Sequence, residues 1–193
     1  MISIWEKEAF FTKQDIIIVG GGFAGLWAAF YLKKKKPHLK ITVLEKAAVP
    51  ASASTRNAGF ACFGSLTELI HDAGVMGAAQ MVDLVALRFR GLKKIQKHFG
   101  AEVDFSRCGG FELFGNNDQY TGKDLLNHCA YLNALLRSVT GSKKTFRLAD
   151  KKLEKFGFAN TSHMVQTTGE GYLHPGKLLR SLGQKVQSMG VQV

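Results

Sequence analysis

One hexapeptide, Gly20-Gly21-Gly22-Phe23-Ala24-Gly25, restricts the possible folds of this chain more than any other feature. It reads G-x-G-x-x-G and joins two segments of opposite character. Before it, Asp15 to Gly20 is a β-branched run of the kind buried in parallel sheets. After it, Phe23 to Lys36 places Ala24, Leu26, Ala28, Ala29 and Leu32 at helical spacing until Pro37 stops the run. Lys40 to Glu45 then alternates as a second strand, so a strand, a helix and a parallel strand fit within about thirty residues. In such a unit Gly20 permits a tight turn, Gly22 lets the backbone approach a diphosphate, and Gly25 permits close helix–strand packing. Unpaired N–H groups and the dipole at the helix start favour that diphosphate. Gly25 and Ala29 continue the close-packed face, and Glu45 ends the second strand twenty positions beyond Gly25. An acid there binds ribose hydroxyls and repels a 2′-phosphate, which disfavours NADP.

The rest of the chain reads as a different kind of structure. Residues 51–64 (ASASTRNAGFACFG) are small, polar and glycine-bearing, a loop whose backbone can come close to a ligand. Ser65 and Glu68 fit a capping box, Met76 to Phe99 a long helix closed by Gly100, and Phe105 to Phe114 a strand around Gly109-Gly110. Asp118 to Thr140 carries the apolar stripe Leu125, Leu126, Cys129, Leu132, Leu135 and Leu136. Residues 144–160 give a weak pattern, and Ser162 to Thr168 reads as a strand. Pro175 opens a last helix with Leu178, Leu179, Leu182 and Val186 on its apolar face, and Gly190 ends it. Val191-Gln192-Val193 begins another strand, from which a C-terminally truncated fold is expected. The expected organisation is a nucleotide-binding βαβ unit with its loop over 1–64, part of a substrate or cap region over 65–170, and a return segment over 171–193.

Composition narrows the classes further. Lys and Arg number 26 against 15 acidic residues in 193, a net charge of +11. Lys33 to Lys36 fall where the first helix ends and suit the negative end of its dipole; Lys93, Lys94 and Lys97 share one helix face. No aromatic residues alternate with these lysines as a base-stacking platform requires, so a solvated surface is expected and a nucleic-acid partner is disfavoured. Cys62, Cys108 and Cys129 show neither C-x-x-C spacing nor an even count, so no metal site or disulfide framework is expected. No stretch approaches the roughly 20 apolar residues of a membrane span, and the first residues do not form a signal peptide. A cytoplasmic protein is expected.

The stretch from Asp15 to Glu45, the loop Ala51-Ser52-Ala53-Ser54-Thr55-Arg56-Asn57-Ala58-Gly59 and the segment 171–179 (GYLHPGKLL) together resemble the D-amino-acid-oxidase-like (DAO) family of FAD-dependent oxidoreductases. That family includes glycine, sarcosine and γ-glutamylputrescine oxidases and amino-acid dehydrogenases. The resemblance implies an α/β fold: a Rossmann-like FAD-binding βαβ domain with an inserted α+β substrate-domain portion. It implies FAD as cofactor and an amine or amino acid as small-molecule substrate, with hydride passing from the α-carbon to the flavin. The implied cofactor-binding residues are Gly20, Gly22, Phe23, Ala24, Gly25, Glu45, Lys46, Ser54, Thr55, Arg56, Asn57 and Ala58. Family members run to roughly twice this length, so no catalytic residue is assigned. Two alternatives share parts of the pattern: an NAD-binding dehydrogenase domain, and a nucleic-acid-associated module of the tRNA-modification type.

Three further residue types invite roles. His174 before Pro175 is read as orienting the turn into the helix rather than as a catalytic base. Cys62 is read as a small buried thiol, since nothing nearby in sequence would lower its pKa. Phe60, Phe63, Phe105 and Phe114 could wall a substrate pocket, and core packing explains them as well.

Overall fold

A computed structural model of the chain describes residues 1–48 and 52–193. In order the elements are α1 (Ile4–Phe10), β1 (Ile16–Val19), α2 (Phe23–Lys35), β2 (Ile41–Leu44), β3 (Phe60–Ala61), α3 (Leu66–Met76), α4 (Ala78–Phe99), β4 (Gly110–Gly115), α5 (Gly122–Thr140), β5 (Phe146–Leu148), α6 (Leu153–Phe156), β6 (Thr161–Thr167), β7 (Gly171–Tyr172) and α7 (Pro175–Ser188). They divide into two units, Met1–Ala58 with His174–Val193, and Gly59–Leu173.

In the first unit β1 and β2 pair in parallel, with Ile16 opposite Ile41 and Val19 opposite Leu44. Alternation along β2 buries Ile41 and Val43, and α2 buries Leu26, Ala29 and Phe30. Ala24 and Ala28, expected on the apolar face of α2, are exposed instead. The helix presents a narrow seam of small and large residues rather than a broad stripe. Lys33 departs from the solvated reading of its lysine run. It is buried, and its Nζ donates to the Pro37 and Leu39 carbonyls at 2.7 and 3.0 Å, tying down the turn into β2. α7 packs beside α2 through Leu178, Leu179, Leu182 and Val186, all buried. Gln192 beyond it bridges Thr42 in parallel, extending the β1–β2 order by one more chain segment.

The second unit is a three-stranded antiparallel sheet, in the order β4-β6-β5, covered on one face by helices. Phe114, Phe146 and Val165 from the sheet meet Leu66 and Leu69 of α3, Met81, Val85 and Phe89 of α4, and Leu125, Cys129, Leu132 and Leu136 of α5. The helical pattern expected from Met76 to Phe99 is broken at Gly77, whose φ of 87° ends α3 and starts α4. The Asp118–Thr140 pattern starts as a helix only at Gly122, because the Thr121 side chain and Asp124 form a reciprocal cap there. Leu126, expected on the stripe of α5, is half exposed on its flank. The strand expected from Phe105 is ordered as β4 only from Gly110, and Ser106 instead bridges Tyr172. Five elements lay outside the sequence expectation: α1, β3 at the end of the expected loop, β5 and α6 within the weak stretch 144–160, and β7 before the last helix.

Candidate nucleotide-binding site

The turn between β1 and α2 forms because Gly20 has a φ of 105°, a conformation that L side chains rarely adopt. A Cβ on Gly25 would overlap the carbonyl oxygen of Gly20, so the first turn of α2 lies directly against the end of β1. A Cβ on Gly22 would come within 2.9 Å of Ser54 Oγ. The turn at Gly20 and the close packing at Gly25 are those the glycine spacing predicts, whereas at Gly22 the group that comes close is the Ser54 hydroxyl.

Two side chains from distant segments reach this turn. Glu45, just past β2, accepts the Gly21 main-chain N–H at 2.8 Å and that of Ala47 at 3.3 Å. These bonds, the Gly21 amide first, hold its carboxyl below the usual carboxylate range. Ser54 Oγ accepts the Phe23 N–H at 3.0 Å and so satisfies one of the free donors at the start of α2. The main-chain amides of Gly22, Ala24 and Gly25 have no partner among the described residues. The mouth of α2 is thus partly closed by protein oxygens and partly open. This donor set fits a diphosphate with its adjoining sugar: a glycine cradle, main-chain N–H groups at a helix start and one ionised carboxylate.

The other predicted residues serve the loop more than the turn. The Thr55 and Arg56 amides both donate to the Ser52 carbonyl at 3.0 Å, and Asn57 Nδ2 donates to the Ala53 and Ser54 carbonyls at 2.9 and 3.1 Å. These bonds wind residues 52–57 into a turn that aims Ser54 at Phe23. Lys46, Arg56, Asn57 and Ala58 are exposed, whereas Thr55 lines a cavity of about 650 Å³ together with Gly21, Glu45, Leu179 and Arg180. Ala51, the first residue of the expected loop, lies outside the described residues. Sequence reasoning missed Arg180. Its signal was the spacing Gly176, Arg180, Gly183, Gln184 and Gln187, a helical stripe opposite the leucines of α7. His174 accepts the Lys177 N–H on its Nδ1 at 3.2 Å and caps α7, the orienting role expected of it.

The second unit has a cavity of its own, about 490 Å³, lined among others by Cys62, Cys108, Phe111, Glu112 and Glu170. Glu170 is buried and accepts the Phe63 and Gly64 N–H groups at 2.8 and 3.3 Å. Burial raises its pKa, against the pull of those two amides. No sequence pattern singled it out. Glu112 accepts the Leu66 N–H at 2.8 Å and the hydroxyl of Thr67, anchoring the start of α3. Cys62 is an exposed residue rather than a buried one, and burial of the sulfur with Glu170 nearby raises its pKa. Of the four phenylalanines, Phe63 and Phe114 are core residues and Phe60 is exposed. No group of three or more metal-ligating side chains occurs among the described residues, and none of their helices is long and apolar enough to cross a membrane.

Comparison with known proteins agrees with this geometry. The family described as FAD dependent oxidoreductase matches residues 15–193. FAD-dependent oxidoreductase domain-containing protein 1 of Xenopus laevis is 26% identical over 195 residues, covering 93% of this chain and 35% of that protein. Glycine oxidase from Geobacillus kaustophilus superposes with a TM-score of 0.60 at 20% identity, over 92% of this chain and 45% of its own. L-amino acid deaminase from Proteus vulgaris gives 0.59 at 19% identity, over 93% and 39%. The chain therefore spans less than half the length of these relatives.

Proposed function

Because the chain belongs to the FAD dependent oxidoreductase family, we propose that its first unit holds the ADP moiety of FAD and that the protein oxidises an amine or amino acid. The observation that carries the reading is the convergence of Glu45 and the glycine turn on one open helix start. Gly20, Gly22, Phe23, Ala24 and Gly25 would present the main chain to the diphosphate, and Glu45 would turn to the ribose hydroxyls. Lys46 and the loop Ser54, Thr55, Arg56, Asn57 and Ala58 would flank it, with Arg56 adding charge. FAD, when bound, supplies the two-electron acceptor for a hydride leaving the α-carbon.

The protein's own residues bind and orient. A carboxylate already ionised and already held at the turn needs no proton loss to accept sugar hydroxyls. The amine or amino-acid reading is supported by the names of the structural neighbours, glycine oxidase and L-amino acid deaminase. The test titrates the purified chain with FAD, ADP and NAD in turn, following flavin fluorescence and heat. FAD and ADP are expected to bind and the Glu45→Ala variant to lose both; tighter binding of NAD than of FAD would overturn the cofactor reading. Anaerobic mixing of the FAD-loaded protein with a panel of amines and amino acids should bleach the flavin, and bleaching only by alcohols or hydroxy acids would overturn the substrate reading.

A further inference from the structure

The sheet of the second unit carries a charge arrangement that neither core packing nor the cofactor site uses. Phe111 of β4, Gln166 of β6 and Arg147 of β5 stand in one cross-strand row. Alternation puts their neighbours Phe146 and Val165 in the helix-covered core, so this row lies on the opposite face. Gln166 is 8% exposed, and its single Oε1 accepts from Arg147 Nε at 3.1 Å, Arg147 Nη2 at 2.8 Å and Lys152 Nζ at 2.9 Å. Two full positive charges therefore converge on one neutral oxygen, within about 6 Å of each other.

Like charges so close repel, and an amide oxygen compensates neither. No carboxylate does so either. Among the described residues the ion pairs are Arg88–Glu68 and His163–Asp150, and both Asp150 oxygens are engaged, by His163 Nδ1 and the Met164 N–H. Residues 143–155 hold six Lys or Arg against two acids, so the local field also favours an anion. Arg147 keeps N–H donors beyond the two it spends on Gln166, and Lys152 keeps two of its three. A planar carboxylate can take one oxygen to each cation, the arrangement in which charge-assisted bonds are strongest. Beside the pair lies an apolar wall: Lys152 Nζ sits 5.3 Å from the Phe111 ring, which contacts Phe156 at 5.3 Å, and Phe156 contacts Phe158 at 5.7 Å.

We propose that Arg147 and Lys152, held together on Gln166 beside Phe111, form a clamp for a carboxylate attached to an apolar group. Resting on the reading above, this clamp takes the carboxylate of an amino-acid substrate and selects amino acids over amines that lack one. The test titrates the full chain, with and without FAD, with phenylacetate, phenethylamine and inorganic phosphate by calorimetry. Phenylacetate is expected to saturate one site, phenethylamine not to bind there, and phosphate to bind at least about tenfold more weakly. Arg147→Gln and Lys152→Gln should each weaken phenylacetate by about tenfold or more while leaving the FAD affinity and urea midpoint unchanged. Arg147→Lys, which keeps charge but loses the fork, should fall between. No saturable phenylacetate binding to the intact chain, equal affinity in the glutamine variants, or phosphate binding as tight as phenylacetate would each overturn the clamp. Intact phenylacetate binding in a protein whose flavin no amino acid reduces would instead remove the substrate reading and leave the clamp standing.

Discussion

The carboxylate of Glu45 and the main-chain N–H of Gly21 meet at 2.8 Å across 24 residues of sequence. This bond locks the end of β2 to the glycine turn, and it uses the oxygen that a ribose hydroxyl would share. Glu45→Gln keeps the shape and removes the charge. We expect it to weaken FAD by about tenfold, measured by fluorescence titration.

The same bond has a pH signature. The Glu45 carboxyl is held below its unfolded range, so its stabilising effect is complete above that range and is lost as pH falls through the lowered folded value. Urea midpoints of the parent and Glu45→Gln should therefore differ at neutral pH and converge between about pH 5 and 3.

Glu170 behaves in the opposite sense. Its pKa is raised, chiefly by burial, so the protonated form is favoured and stability falls as pH rises through the folded value. Glu170→Gln is expected to match the parent near pH 4 and to unfold at higher urea than the parent near pH 8. Glu170→Ala should cost about 2 kcal/mol near pH 4, because the Phe63 and Gly64 amides lose their acceptor, and less near pH 8, where the parent itself is weakened by the buried charge.

Gly25 cannot carry a side chain without parting α2 from β1, since its Cβ would overlap the Gly20 carbonyl oxygen. Gly25→Ala should destabilise the first unit by about 3 kcal/mol and abolish FAD binding. Circular dichroism and flavin titration check the two effects separately.

Leu132 of α5 is fully buried among the leucines and phenylalanines of the second unit. Leu132→Ala should cost about 3 kcal/mol, read from the denaturant midpoint.

Features written in local spacing were legible. The glycine turn, the capping box at Ser65 and the leucines of α7 each depend on residues a few positions apart, and each forms as its spacing predicts. The break at Gly77 was not legible, because a glycine inside a helical pattern costs only about 1 kcal/mol and tertiary packing decides whether the helix continues. Ser54 at the Phe23 amide, Glu170 under Phe63 and the meeting of Arg147 with Lys152 on Gln166 depend on pairings 14 to 107 residues apart. Loop packing and, for Arg147 on Gln166, strand register create these sites, and no periodicity in one sequence encodes either. The FAD dependent oxidoreductase family, by contrast, rested on three local motifs and was legible for that reason.

The hydroxyl of Ser54 sits on the Phe23 amide, one of the donors that a bound diphosphate would want. Nucleotide capture here, as proposed, would then be an exchange of partners rather than a simple addition. On the proposed reading the serine would act as a placeholder on that one amide and would rotate aside for an incoming oxygen. Swapping it for alanine should then trade a calmer empty state for faster loading, loosening the resting protein while scarcely changing the loaded one.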